Sequence, residues 1–532
     1  MAKGYWIPVL HSHLPFVKHP EYEYFLEEHW LFEAIDECYV PLLSNMKRLV
    51  DEDIDFRLTV SVTPPLAEMF KDELLMQKYL RHLDRMIELG YKEIERTKLT
   101  GDEEHQLALF YKNRYEWIKE FFNGFLEGNL LNGYRHFASL GKLEIITCGA
   151  THGFLPILSI NEKAVEAQIQ IAVKSHTENF GASPNGIWLP ECAYFDGLDK
   201  VLAKYDIKFF FGDSHTLVCA NPTAQNGVFA PIYTPENVAV FARDPDSSKK
   251  VWSSKEGYPG DFNYRDFYRD LGYDLDFEYI KDYISPDGTR VFTGFKYHKV
   301  TGTTDNKEFY NPTVAYHKTK EHAKNFHKER EEQFENLNKH LDRTPMAVSP
   351  YDAELFGHWW FEGPDFLYHL FKEIDSHQSF KSITPMEYLQ AEPTNQVTIP
   401  TPSSWGDKGY YDVWLNKEND WIYRHLHVMA DKMQDLAERY IDEKDPIKVR
   451  VLNQLLRELL LGQSSDWAFL ITTETAIEYS TRRTKEHVHN FEQLSESIDS
   501  VDLKFLEWLE QKNSIFQGID YRIFAKGEQC KY

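Results

Sequence analysis

Cysteine is scarce in this chain. Its five cysteines (Cys38, Cys148, Cys192, Cys219 and Cys530) are scattered, odd in number and free of CxxC spacing. That excludes a disulfide scaffold and a structural zinc knuckle, and it fits a reducing, cytoplasmic setting. Long apolar runs are missing as well: none approaches the ~18–20 residues of a membrane span, so no membrane partner is expected. The opening residues MAKGYWIPVLHSHLPF carry only a short apolar stretch broken by proline and histidine, which is not a signal-peptide pattern. Positive charge is in deficit, with 59 Lys and Arg against 84 Asp and Glu and a net charge of −25. Nucleic acid is thereby excluded as a partner, because phosphate contacts need stripes of Lys and Arg. Low-complexity tracts and short-period repeats are also absent.

What is abundant is aromatic. Twelve Trp, 31 Tyr and 36 Phe make up 15% of the chain, within a hydrophobic content of 42%. Most must serve a large core, but flat side chains with polar edges also suit sugars. At 532 residues the chain exceeds one ordinary domain and fits an enlarged barrel with an appended domain.

Read in order, the chain alternates short β-prone runs, polar tips and helices. Residues 5–10 form a buried strand ending in His11-Ser12-His13. Residues 56–62 form a second, followed by helical spacing to residue 141 with heavy aromatic use. Further runs at 143–147, 187–189, 207–211, 238–241, 291–295 and 346–348 close on polar residues. These include His152, Glu191, Asp213, His215, Arg243 and Asp352. Strand, tip and helix repeated about seven times predict a parallel barrel, which gathers all its tips on one face. A stretch rich in Thr and Pro, residues 392–404, then leads into a region of helical periodicity.

Two chemistries suit such a cluster. His-x-His at the first strand with a later His and Asp fits metal-assisted hydrolysis. A pair of carboxyls, Glu191 and Asp352, fits glycoside chemistry, and Trp188, Tyr194, Tyr351, Trp359 and Trp360 around them favour sugars.

Five ordered segments then carry a resemblance. They are His11-Ser-His13, Thr151-His152-Gly153, Trp188-Leu-Pro-Glu191-Cys-Ala-Tyr194, Ser349-Pro-Tyr-Asp352 through Trp360, and Ser403-Ser-Trp405-Gly406. Together with Gln463-Ser-Ser-Asp466-Trp467 they resemble glycoside hydrolase family 57, and within it the 1,4-α-glucan branching enzymes. The resemblance implies an α/β fold: an incomplete (β/α)7 barrel over residues 1–395 with a helical insertion at 96–142. It also implies an all-helical C-terminal domain, 396–532, that completes the cleft.

The chemistry it implies is retaining and cofactor-free, with no metal, on α-glucan chains such as amylose, starch or glycogen. Glu191 matches the nucleophile and Asp352 the general acid/base. Arg243, Gly260, Trp405 and Asp466 match glucan-binding positions, and His11, His13 and His152 become hydrogen-bonding groups around the reacting sugar. Hydrolysis as an α-amylase, or 4-α-glucanotransfer, is the alternative within the same site. A metal-dependent carbohydrate hydrolase lies further off. Branching also calls for a water-excluding loop with a tyrosine at its tip, for which Tyr233 is the candidate.

Overall fold

The computed structural model describes residues 2–526 apart from 254, 303 and 305, so Cys530 lies outside the described residues. Among the described residues there are nine strands: β1 (Tyr5–Ser12), β2 (Leu58–Val62), β3 (Leu143–Ile146), β4 (Gly186–Ile187), β5 (Phe209–Gly212), β6 (Ile232–Tyr233), β7 (Ala239–Ala242), β8 (Met346–Asp352) and β9 (Lys381–Ser382). They form two part-sheets. One is parallel in the order β3-β2-β1-β8, with β9 also paired to β1; the other runs β4-β5-β7, edged by antiparallel β6.

Single parallel bridges join the two at both seams, Thr147 with Ile187 and Arg243 with Val348. Seven parallel strands thus follow one another in a ring, β1-β2-β3-β4-β5-β7-β8. Burial on both faces explains why β1 (YWIPVLHS) reads as a continuous apolar run rather than an alternating one. The ring's interior is filled by alternate residues, Ile7 and Val9, Phe209 and Phe211, Ala239 and Phe241, Met346 and Val348, packed with Trp188 and Cys148. Tyr388 and Leu389 of the helix Pro385–Ala391 belong to the same cluster.

Helices connect the strands and start where the sequence supplies caps. Asp72, Asn161 and Asn311 each accept a backbone N–H in the first turn of Glu73–Thr97, Glu162–Phe180 and Pro312–Leu337. Between β2 and β3 stand Pro64–Lys71, Glu73–Thr97, Asp102–Asn123 and Leu130–Ser139. The final stretch is helical: Asp420–Arg439, Pro446–Gly462, Ser465–Thr472, Ile477–Glu496 and Leu503–Lys512.

Two expectations fail. Residues 291–295 are not a strand. Their backbone bonds go to side chains instead: the amides of Thr293 and Gly294 donate to the Asp270 carboxylate (both 2.9 Å), and Tyr115 OH donates to the Thr293 carbonyl (2.7 Å). With side-chain partners for these groups, and Gly294 at φ +79°, no ladder forms. Nor is Tyr233 a loop tip. It pairs with Ala239 in β6–β7, donates its amide to the Gln396 carbonyl (2.8 Å), and packs against the ring's interior cluster.

Candidate active site

The C-terminal ends of the parallel strands bring the predicted residues together. In register, His11 lies opposite Ser61 of β2 on one side and Asp352 of β8 on the other. Glu191 follows β4 in a short turn, where it and Cys192 hold left-handed backbone (φ 64° and 51°); His152 does the same (φ 59°). Such conformations cost non-glycine residues about 1–3 kcal/mol each and cluster where a side chain must be aimed.

Glu191 is largely enclosed, its side chain 13% exposed. Both carboxylate oxygens accept from the C-terminal region. Trp405 Nε1 donates to Oε2 (2.9 Å) and Ser465 Oγ to Oε1 (3.0 Å). The Trp405 amide also donates to the Glu191 carbonyl (3.0 Å), clamping the turn. Burial pushes the Glu191 carboxyl up to about 7, with Asp466 and Asp352 adding to it while Trp405 and Ser465 oppose it.

Asp352 contrasts with it. It is solvent-accessible, yet desolvation by the surrounding protein pushes its carboxyl up to about 7 as well. Glu354 adds to that rise, whereas His13 and Arg243 oppose it. Among the described residues no group donates a hydrogen bond to it. One carboxyl is therefore ringed by donors that favour its ionised form, and the other has none. Glu191 senses Asp352, whose charge raises the Glu191 value.

The imidazoles line the strands behind. His11 stacks on Trp188 (4.9 Å between centroids) and His13 on His152 (3.8 Å). His13 Nε2 meets Asp466 Oδ2 at 3.0 Å, and its Nδ1 meets Thr63 Oγ1 at 3.0 Å. Burial alone would lower the His13 value, but the Asp466 carboxylate reverses this and leaves it raised. Burial would likewise raise Asp466, yet His13 brings it down to about 2, so the two form an ion pair. His11 and His152 are driven well below 6.5, first by burial and then by neighbouring imidazoles.

Potential metal-ligating atoms of His11, Cys148 and His152, and of His13, His152 and Asp466, lie within 4.8 Å of one another. In this fold the imidazole nitrogens nearest each other are bonded together, His11 Nε2 to His152 Nε2 at 3.0 Å.

Arg243 pairs with Asp213, which also lies 3.9 Å from His215. Gly260 sits in the turn Tyr258–Gly260 on the β7–β8 connection and is not hydrogen-bonded to any of these groups. The aromatics divide. Trp188, Tyr194, Tyr351 and Trp360 are buried core, while Trp359 is 56% exposed and stacks on Phe267 (4.5 Å). Ser465, Glu354 and Ser61 belong to the cluster and were not singled out from sequence. Ser465 and Glu354 carried a signal, inside the Gln463–Trp467 and Ser349–Trp360 segments, and Ser61 carried none.

An α/β scaffold that sets two differently solvated carboxyls at the C-terminal ends of parallel strands is an arrangement suited to glycoside chemistry. The chain belongs to glycosyl hydrolase family 57, which matches residues 7–342; residues 425–524 match the 1,4-alpha-glucan branching enzyme C-terminal family. The alpha-amylase AmyC of Thermotoga maritima is 45% identical, with a TM-score of 0.93 over 99% of this chain and 100% of that one. The GH57-type branching enzyme of Pyrococcus horikoshii is 32% identical, with a TM-score of 0.89 over 99% of this chain and 97% of that one. A 1,4-alpha-glucan branching enzyme of Thermococcus kodakarensis is 32% identical over 97% of this chain and 78% of its own length. Among the described residues no helix is long and apolar enough to cross a membrane.

Proposed function

We propose that this chain is a 1,4-α-glucan branching enzyme that cleaves α-1,4 links by double displacement and passes the glucan segment to a sugar 6-hydroxyl. Glu191 is the nucleophile. Its carboxylate attacks the anomeric carbon as Asp352 protonates the leaving glycosidic oxygen, giving a covalent glycosyl ester. Asp352, now ionised, then takes the proton of the incoming hydroxyl as that oxygen displaces Glu191. The observation that carries these roles is the asymmetry of the pair: one indole and one hydroxyl donor on Glu191 and, among the described residues, none on Asp352. Arg243, Asp466 and His13 hold sugar hydroxyls at the rim, and Gly260 lets the chain approach. Residues 1–395, with the insertion at 96–142, act as the catalytic unit, and residues 396–532 supply the cleft's second wall through Trp405, Ser465 and Asp466.

Hydrolysis in the same site is the second reading, favoured by the 45% identity to an alpha-amylase. Incubation with amylose separates them. New α-1,6 linkages in the product support branching, while reducing ends without branches support hydrolysis. Activity lost on exhaustive chelation would move the assignment to a metal-dependent hydrolase.

A further inference from the structure

Glu191 is the end of a hydrogen-bonded row. Ser61 Oγ meets His11 Nδ1 (3.2 Å), His11 Nε2 meets His152 Nε2 (3.0 Å), and His152 Nδ1 meets Ser465 Oγ (2.8 Å). Ser465 Oγ then donates to Glu191 Oε1 (3.0 Å). Four of the five members come from the barrel strands and their tips, and Ser465 alone comes from the C-terminal helices. Its position is fixed by backbone: the Ser465 amide donates to the His152 carbonyl (3.0 Å), and Gly153 bridges Ser464.

Counting protons fixes the row's direction. An ionised carboxylate only accepts, so Ser465 must give its one proton to Glu191. Its oxygen then accepts from His152 Nδ1–H. A neutral imidazole carries one N–H, so His152 Nε2 is bare and accepts from His11 Nε2–H. His11 Nδ1 is then bare and accepts from Ser61. Burial keeps both imidazoles neutral, as this scheme requires. Protonating Glu191 at Oε1 opens the reverse order, with both tautomers flipped.

We propose that Ser465 is a positioning residue that couples the tautomers of His11 and His152 to the charge of Glu191 and holds that carboxylate ionised and aimed. This rests on Glu191 being the nucleophile. The same donor favours the free carboxylate when the acceptor hydroxyl displaces it in the second step. Other groups act on Glu191 as well: Trp405 donates to it, Asp352 and Asp466 repel its charge, and His13, His152, Cys148, Cys192 and Tyr423 interact with it electrostatically. None of these lies between His152 and the carboxylate as Ser465 does.

The test is Ser465→Ala beside Ser465→Thr, with histidine ¹⁵N NMR on the full chain. Removing a donor to a charged group predicts a kcat lower by roughly 10- to 100-fold, with KM changed by less than about threefold. The acidic limb of the kcat profile moves to higher pH, and Thr restores both. Wild type shows His152 as the Nδ1–H and His11 as the Nε2–H tautomer, and Ala releases that fixed pair. Opposite tautomers in active wild type overturn the inference. So do tautomers and an acidic limb unmoved by Ala, whatever happens to kcat. If the tautomers are as expected but Glu191→Gln keeps turnover, the nucleophile assignment fails and the row stands.

Discussion

The surroundings of the two carboxyls are built differently. Around Glu191 the partners are donors from far along the chain, Trp405 and Ser465, and the backbone is forced left-handed to meet them. Around Asp352 the structure is a regular strand end. Its neighbours act only through charge: Glu354, itself bonded to the His13 amide (3.2 Å), and then His13 and Arg243. Burial lifts both carboxyls to about 7, yet by this contrast one is prepared to be an anion and the other an acid. Similar proton affinity does not mean equal chemistry, because hydrogen bonds act on the charged form of one partner only.

Removing either acid tests that contrast most severely. Glu191→Gln is expected to lower kcat by at least roughly 10⁴-fold, and Asp352→Asn by about 10²- to 10⁴-fold. Azide is expected to restore turnover differently in the two alanine variants, with retained anomeric configuration for Asp352→Ala and inverted for Glu191→Ala. Identical products would dissolve the distinction.

Trp405→Phe keeps an aromatic ring and deletes the indole donor. A loss of roughly 10- to 100-fold in kcat, with the acidic limb moved upward, is expected from losing a bond to a charged acceptor. An unmoved limb would place Trp405 in sugar stacking alone.

The smallest effect is thermal. A carboxyl lifted from 3.8 to about 7 disfavours its own ionised form in the fold, so its contribution to stability declines as pH rises through that window. Asp352→Asn is therefore expected to match wild type in Tm near pH 4 and to exceed it at pH 8. Glu191→Gln is expected to show no such gain, because an amide cannot accept from both Trp405 and Ser465. Equal gains in both variants would show that the two environments do not differ.

Much of this was legible in one dimension. Strand periodicity located β1, β2, β3, β5, β7 and β8, since buried parallel strands require apolar runs. It also suggested a strand at residues 291–295, because apolar content cannot reveal that Asp270 and Tyr115 will satisfy those backbone groups. Tyr233 was misjudged for a similar reason, its strand pairing being invisible in a two-residue element.

The amino-acid order by itself determined which groups end each strand, because an acid or imidazole after an apolar run has nowhere to go but the rim. It could not determine what stands beside them. Ser465 lies 274 positions from Glu191 and Trp405 lies 214, and only the packing of the last helices and of the loop before them against the ring brings an indole and a hydroxyl to one carboxylate. The proposed division of roles between Glu191 and Asp352 rests on those contacts, since solvation and hydrogen bonding depend on distance in space and not on distance along the chain.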